Sequence, residues 1–232
     1  MKLIFFIFGL FVISFNAMCA DFTKSGRVLH VVGEIYEGDF EKFSKSISEG
    51  EVSFAILNSV GGNALEAMRI ASVMSDMKLN TVVSDICASS CANYLFLAGN
   101  KKIIMQHGVV IWHGSYSQEC GHTIAKSDFV NKSEDEIKNF FHGLKIQHEE
   151  NEKFFKKIKV KAGITCLNMA SKKEVDERYP ESTGFTLTAD AMKVFGVDNI
   201  LDFRDRYVEP VMSKHVAIVG VEILRKSGFL LN

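Results

Sequence analysis

The chain has 232 residues, carries a formal net charge of −1 and contains only two prolines. Because it has no strong basic field of the kind that attracts nucleic acid, nucleic-acid binding is not expected. With few prolines and no low-complexity tract, residues 21–232 are predicted to form a single domain of ordinary size.

The first twenty residues have the order of a secretory signal peptide. Lys2 is followed by an apolar run from Leu3 to Ile13 and then by small residues that end at Ala20. The apolar run is shorter than the ~20 residues that a membrane helix needs. We therefore expect cleavage after Ala20, an exported protein that is periplasmic or secreted, and no stable membrane span after cleavage. An uncleaved anchor helix, or lipid attachment at Cys19, is the alternative.

Export places the remaining cysteines in an oxidising compartment, where disulfides persist. They are Cys87, Cys91, Cys120 and Cys166. A bond between Cys87 and Cys91 would close a short loop around two serines, and a bond between Cys120 and Cys166 would close the downstream segment, although four cysteines allow three pairings. A zinc site competes with this interpretation. Because a Cys-x3-Cys spacing without a second pair is a weak metal signal, we expect disulfides and no metal.

The hydrophobic pattern alternates between strands and helices, which is typical of an α/β domain. Predicted strands cover residues 27–35, 52–57, 80–83, 101–105 and 109–112, with 202–208 as a candidate terminal strand. Predicted helices cover residues 38–47, 63–78, about 90–98 and 187–195. Residues 115–160 are charged and helical in pattern, with a capped helix start at Ser133. They are interpreted as a helical insertion whose aromatic residues suit a subunit interface or a cover over the active site.

Three features along the chain carry chemistry. Ser89 and Ser90 stand at the start of a predicted helix, where the helix dipole and free backbone N–H groups favour developing negative charge. His113 ends a predicted strand and can act as general base. Gly62 ends a glycine turn over residues 58–62, where the missing side chain lets a backbone N–H approach an oxyanion. This set predicts a serine hydrolase.

In the order and spacing of these motifs, the chain resembles the Clp-type serine peptidases of the ClpP/crotonase superfamily. Their Asn-Ser-Pro-Gly-Gly turn is similar to Asn58–Gly62, their nucleophile turn to Ala88–Ala92, and their Met-Ile-His strand end to Ile111–His113. Their late helix resembles Thr188–Asp198. The resemblance implies an α/β fold of the ClpP/crotonase type, a spiral of repeated ββα units, with 115–160 as a helical insertion. It also implies a homo-oligomer, a peptide or protein substrate and no cofactor.

The resemblance also assigns roles. Counting back from the end of the family helix favours Ser90 as nucleophile, while the cysteine positions favour Ser89, which stays the alternative. His113 would be the base. Gly62 and Cys91 would donate the oxyanion-hole N–H groups.

The family's third catalytic member is an aspartate just before the late helix. This chain has no carboxylate at 182–185. Glu181 and Asp176 are the nearest candidates. Because a triad without its acid loses much of its activity, a catalytically silent ClpP-like scaffold that binds peptides or partner proteins is the alternative function. Coenzyme A chemistry, known from the crotonase relatives, is disfavoured by export from the coenzyme pool.

Overall fold

The computed structural model describes residues 20–114, 129–166, 177, 179–204 and 215–226. The first half contains β1 (Asp21–Ser25), β2 (Val28–Ile35), α1 (Asp39–Ser48), β3 (Phe54–Gly62), α2 (Ala64–Asp76), β4 (Asn80–Ala88) and a short helix of π type, α3 (Cys91–Phe96). The second half contains β5 (Lys102–Ile104), β6 (Val109–Ile111), α4 (Glu134–Ile158), β7 (Gly184–Leu187), α5 (Ala189–Val194), β8 (Ile200–Asp202), β9 (Val216–Val219) and α6 (Val221–Lys226).

In the described part of the chain, the main sheet has seven strands and is mostly parallel. Its order is β1-β2-β3-β4-β5-β8, and β6 pairs with the later part of β4. Only β1 runs antiparallel to its neighbour. Parallel strands need crossover connections, and α1, α2 and α3 follow β2, β3 and β4 in this way. The expected α/β class is therefore confirmed.

The ends of the helices follow from local capping signals. The Asn63 side chain accepts a hydrogen bond from the Glu66 N–H at the start of α2. At the start of α4, Ser133 and Glu136 form a reciprocal capping box, as the sequence predicted. No helix within the described ranges is long and apolar enough to cross a membrane.

Besides β4, which continues past the predicted end at Val83 to Ala88, three boundaries differ most from the prediction. β3 does not end at Leu57 but continues through Gly62, because β2 pairs with it as far as Ile35. The glycine segment is thus a strand end and not a separate turn. Leu187 belongs to β7, where it pairs with Val219 of β9, and α5 starts only after Thr188.

The third boundary is the last strand of the main sheet. The strand there is β8, residues 200–202, where 202–208 was predicted. Of the predicted insertion at 115–160, residues 115–128 lie outside the described residues, as do residues 1–19 and 205–214.

Candidate active site

The turn between β4 and α3 carries both candidate nucleophiles. Ser89 has a positive φ of 55°, which is uncommon for a residue with a side chain. Ser90 returns to helical angles just before Cys91. The Ser89 N–H donates to the Ile111 carbonyl at 3.0 Å, and the Ser89 carbonyl accepts from the Asn93 N–H at 2.8 Å. A sharp, strained strand-to-helix turn is a geometry that presents a nucleophile at the start of a helix.

A disulfide closes this turn. Cys87, near the end of β4, is bonded to Cys91, the first residue of α3, and both are fully buried. The expected bond around the two serines is confirmed. Cys166 is also disulfide-bonded, while Cys120 lies outside the described residues. In the described part of the chain, no three His, Cys, Asp or Glu side chains gather in a group that could hold a metal ion.

The glycine pair at the end of β3 lies between β2 and the serine turn. Gly61 and Gly62 have φ values of +92° and +136°, which favour glycine. A Cβ on Gly61 would lie 2.5 Å from the Ala88 carbonyl oxygen, and one on Gly62 would lie 2.1 Å from the Ile35 carbonyl oxygen. Side chains are therefore excluded at both positions, and the backbone of β3 packs directly against the turn.

Ser90 and Gly62 are in contact. The Ser90 hydroxyl donates a hydrogen bond of 3.1 Å to the Gly62 carbonyl oxygen, and the Ser90 residue is only 3% exposed. The sequence prediction assigned Gly62 an N–H donor role, but this contact uses its carbonyl. The hydroxyl must leave this bond before it can attack a substrate. Hydrogen bonds of a resting site often rearrange when substrate binds.

His113 follows β6, whose last residue accepts a hydrogen bond from the serine turn. Ala88 of β4 pairs with Ile111 of β6, and two residues further along each chain lie Ser90 and His113. The ladder ends at the Ala88–Ile111 pair, where neighbouring backbones are about 4.8 Å apart. Trp112 is fully buried, and His113 is exposed. The fold therefore brings the predicted nucleophile and the predicted base to the ends of adjacent strands.

A glycine occupies the backbone position next to His113. A Cβ built on Gly184 would lie 3.8 Å from the Cβ of His113, since β7 passes antiparallel to the end of β6. Glu181 is exposed in the turn that precedes β7. Asp176 lies outside the described residues. The residue of β7 nearest to the base thus carries no carboxylate.

Buried polar groups behind the serine turn were missed by the sequence reasoning. The Tyr94 hydroxyl donates to Asn151 Oδ1 of α4 at 3.1 Å, and burial raises the pKa of the Tyr94 phenol. Among the described residues, the buried Asn93 Oδ1 and Asn151 Nδ2 have no hydrogen-bond partner. An asparagine in the apolar run of α3 was the signal that could have identified them. These groups link α4 to the helix that follows the nucleophile.

Neither a protein-family model nor a curated protein matches this chain. Its function is therefore argued from the geometry of the site.

Proposed function

We propose that the protein is an exported serine hydrolase of the peptidase type, with Ser90 as nucleophile and His113 as general base. One observation supports this most directly. The Ser90 hydroxyl contacts the backbone of Gly62, and Ser90 and His113 each follow one member of the paired strand ends Ala88 and Ile111. These positions support a nucleophile, a base and glycine backbone at one end of the sheet, as acyl transfer requires.

The reaction follows from these positions. Ser90 Oγ attacks the substrate carbonyl while His113 accepts its proton. The backbone N–H groups of Gly62 and Cys91 stabilise the oxyanion. The leaving amine takes the proton from His113, and water then releases the acyl group by the same steps in reverse. Ser89 is the alternative nucleophile, because its positive φ is also found at nucleophile turns.

The proposal includes the finer fold and the setting of the protein. Successive parallel strand–helix units, β3–α2 and β4–α3, agree with a ClpP/crotonase-like spiral, and α4 would be its helical insertion. A homo-oligomer and a peptide or protein substrate are proposed on the same resemblance. The disulfide between Cys87 and Cys91 agrees with an exported protein, periplasmic or secreted, because such bonds are rare in the cytosol.

A fluorophosphonate probe tests the proposal. The mature protein should be labelled at one serine, and the labelling should be abolished in Ser90→Ala and strongly slowed in His113→Ala. Ser89→Ala is the matched control, and it should keep most of the labelling. Labelling that survives Ser90→Ala and disappears in Ser89→Ala would transfer the nucleophile role to Ser89. Absence of any labelling would refute the hydrolase.

Two observations favour a second candidate, a catalytically silent scaffold that binds peptides or partner proteins. The Ser90 hydroxyl is bonded to a carbonyl oxygen, and residues 182–185 carry no carboxylate where the family's aspartate would stand. For this candidate, the chain should bind peptides with equal affinity in the wild type and in Ser90→Ala. Hydrolysis of a peptide or ester that depends on Ser90 would contradict it.

A further inference from the structure

Glu34 lies on the strand next to the glycine pair. In the β2–β3 ladder, Glu34 pairs with Gly61 and Ile35 pairs with Gly62. Gly61 in turn packs against the serine turn, because a Cβ on it would lie 2.8 Å from the Ser90 nitrogen. Two strand spacings, about 10 Å, therefore separate Glu34 from Ser90. An extended peptide advances about 3.3 Å per residue, so this distance corresponds to a substrate residue about three positions from the cleaved bond.

The Glu34 carboxylate is exposed and held in place. Glu34 is exposed and the next residue of the strand, Ile35, is buried, so the two side chains lie on opposite faces of β2. The Tyr36 hydroxyl donates to Glu34 Oε2 at 2.6 Å. The Tyr36 N–H is itself fixed by Asp39 Oδ2 at 2.8 Å. Because the carboxylate is already positioned, a ligand that binds it loses less conformational entropy.

Two nearby carboxylates are paired with cations, and Glu34 is not. Asp39 pairs with Lys42 at 2.7 Å, and Glu66 pairs with Arg69 at 3.0 Å. Within the described ranges, no Lys, Arg or His side chain forms an ion pair with Glu34. This end of the sheet therefore presents an uncompensated negative charge close to the proposed site.

We infer that Glu34 is a specificity residue, which selects substrates with a positively charged side chain about three residues from the cleaved bond. The inference rests on the proposed hydrolase function and adds to it a substrate class, peptides that contain lysine or arginine. The attraction is that of an exposed ion pair, which corresponds to roughly a 1.5-fold to fivefold preference over a neutral side chain.

Internally quenched peptides test the inference on the mature full chain. One series carries lysine, glutamine or glutamate at the third residue before the cleaved bond, and a second series carries them at the third residue after it. In one series, kcat/KM should fall in the order lysine, glutamine, glutamate. Glu34→Gln should remove the preference, and Glu34→Lys should reverse it. Added salt should reduce it in the wild type.

A matched control comes from the opposite end of the same sheet. Glu51 is exposed and paired with Arg27, and Glu51→Gln changes the net charge by the same amount without changing the site. It should keep the lysine preference, and Tyr36→Phe should weaken the preference. Labelling of Ser90 by a small neutral fluorophosphonate reports separately on the proposed function. If Ser90 is labelled but neither peptide series shows a lysine preference, this inference alone is overturned. The same holds if Ser90 is labelled and Glu34→Gln leaves the lysine preference intact. Failure of the labelling itself overturns the function.

Discussion

Removal of the bond between Cys87 and Cys91 is expected to affect the site far more than the stability of the fold. The two cysteines are separated by four positions, so the closed loop is small. The chain-entropy relation gives such a loop a stabilisation of about 2 kcal/mol. For a chain of this length, that loss lowers Tm by roughly 4–8 °C, so a double alanine variant stays folded at 25 °C.

The local effect is larger because the bond ties β4 to the start of α3. The Ser90 hydroxyl and the proposed Cys91 N–H donor are both fixed by this closure, and misplacement by about 1 Å costs up to 100-fold in rate. We expect Cys87→Ala/Cys91→Ala to slow fluorophosphonate labelling of Ser90 by about tenfold or more. Denaturant unfolding and labelling rates would be measured on the same preparations.

The matched control is a variant that loses comparable stability elsewhere. Met192→Ala removes a fully buried side chain in α5 and should cost about 2 kcal/mol or more without slowing the labelling. If the double cysteine variant labels Ser90 as fast as the wild type does, the disulfide does not position the nucleophile, and the reasoning fails.

The remaining predictions concern contacts around the same turn and at the start of α4. Tyr94→Phe leaves the buried Asn151 Oδ1 without its donor, so the free energy of unfolding should fall by about 1–3 kcal/mol in urea titrations; an unchanged value would contradict the buried bond. Gly61→Ala should slow fluorophosphonate labelling of Ser90 more than tenfold, because its Cβ would press on the serine turn. Gly50→Ala is the control and should not slow it, since Gly50 also has a positive φ but its Cβ would lie 3.4 Å from the nearest atom, Lys24 Nζ. The hydrogen bond from the Ser133 backbone N–H, followed by those from the Lys132 and Ser133 side chains, lowers the pKa of Glu136 from 4.5 to about 2. The capping box is therefore fully stabilising above pH 4.5 and is lost as the pH falls toward 2, so helicity by circular dichroism should drop over that range in the wild type but not in Glu136→Gln, which caps without titrating.

The parts of the fold that local chemistry determines were predicted from the sequence. The caps at Asn63 and Ser133 are formed by side chains that bond to backbone three residues away, so neither needs the tertiary structure. The order of strand, serine turn and helix was predictable for the same reason. Each signal lies within one short stretch of chain.

Strand pairing over long sequence separations was not predictable in this way. β7 pairs with β9, about thirty residues later in the chain, and this pairing takes Leu187 out of the predicted helix. β3 extends through Gly62 because β2 continues beside it past a register shift between Val32 and Glu34. A register set by an irregular ladder has no signature within a single strand.

The same limit applies to the site. Ser90 and His113 were proposed from their positions at the ends of their own elements, and the strands that precede them, β4 and β6, are neighbours in the sheet. Glu34 could not be identified because its relation to Gly61 depends on the shifted register. The orientation of the Gly62 carbonyl was equally hidden, since a glycine with positive φ gives no sequence clue to the direction of its peptide groups.

The contact between the Ser90 hydroxyl and the Gly62 carbonyl does not by itself separate an enzyme from a scaffold. A hydrogen bond of this kind contributes about 0.5–1.5 kcal/mol, which reduces the free hydroxyl population by no more than roughly tenfold. An acid partner of His113 would weigh more, because removal of the acid function from a triad lowers kcat by about 10⁴. Even a hydrolase without that partner should react slowly with a fluorophosphonate in a Ser90-dependent manner. A scaffold should not react at all, so the presence of slow labelling, rather than its rate, distinguishes the two functions.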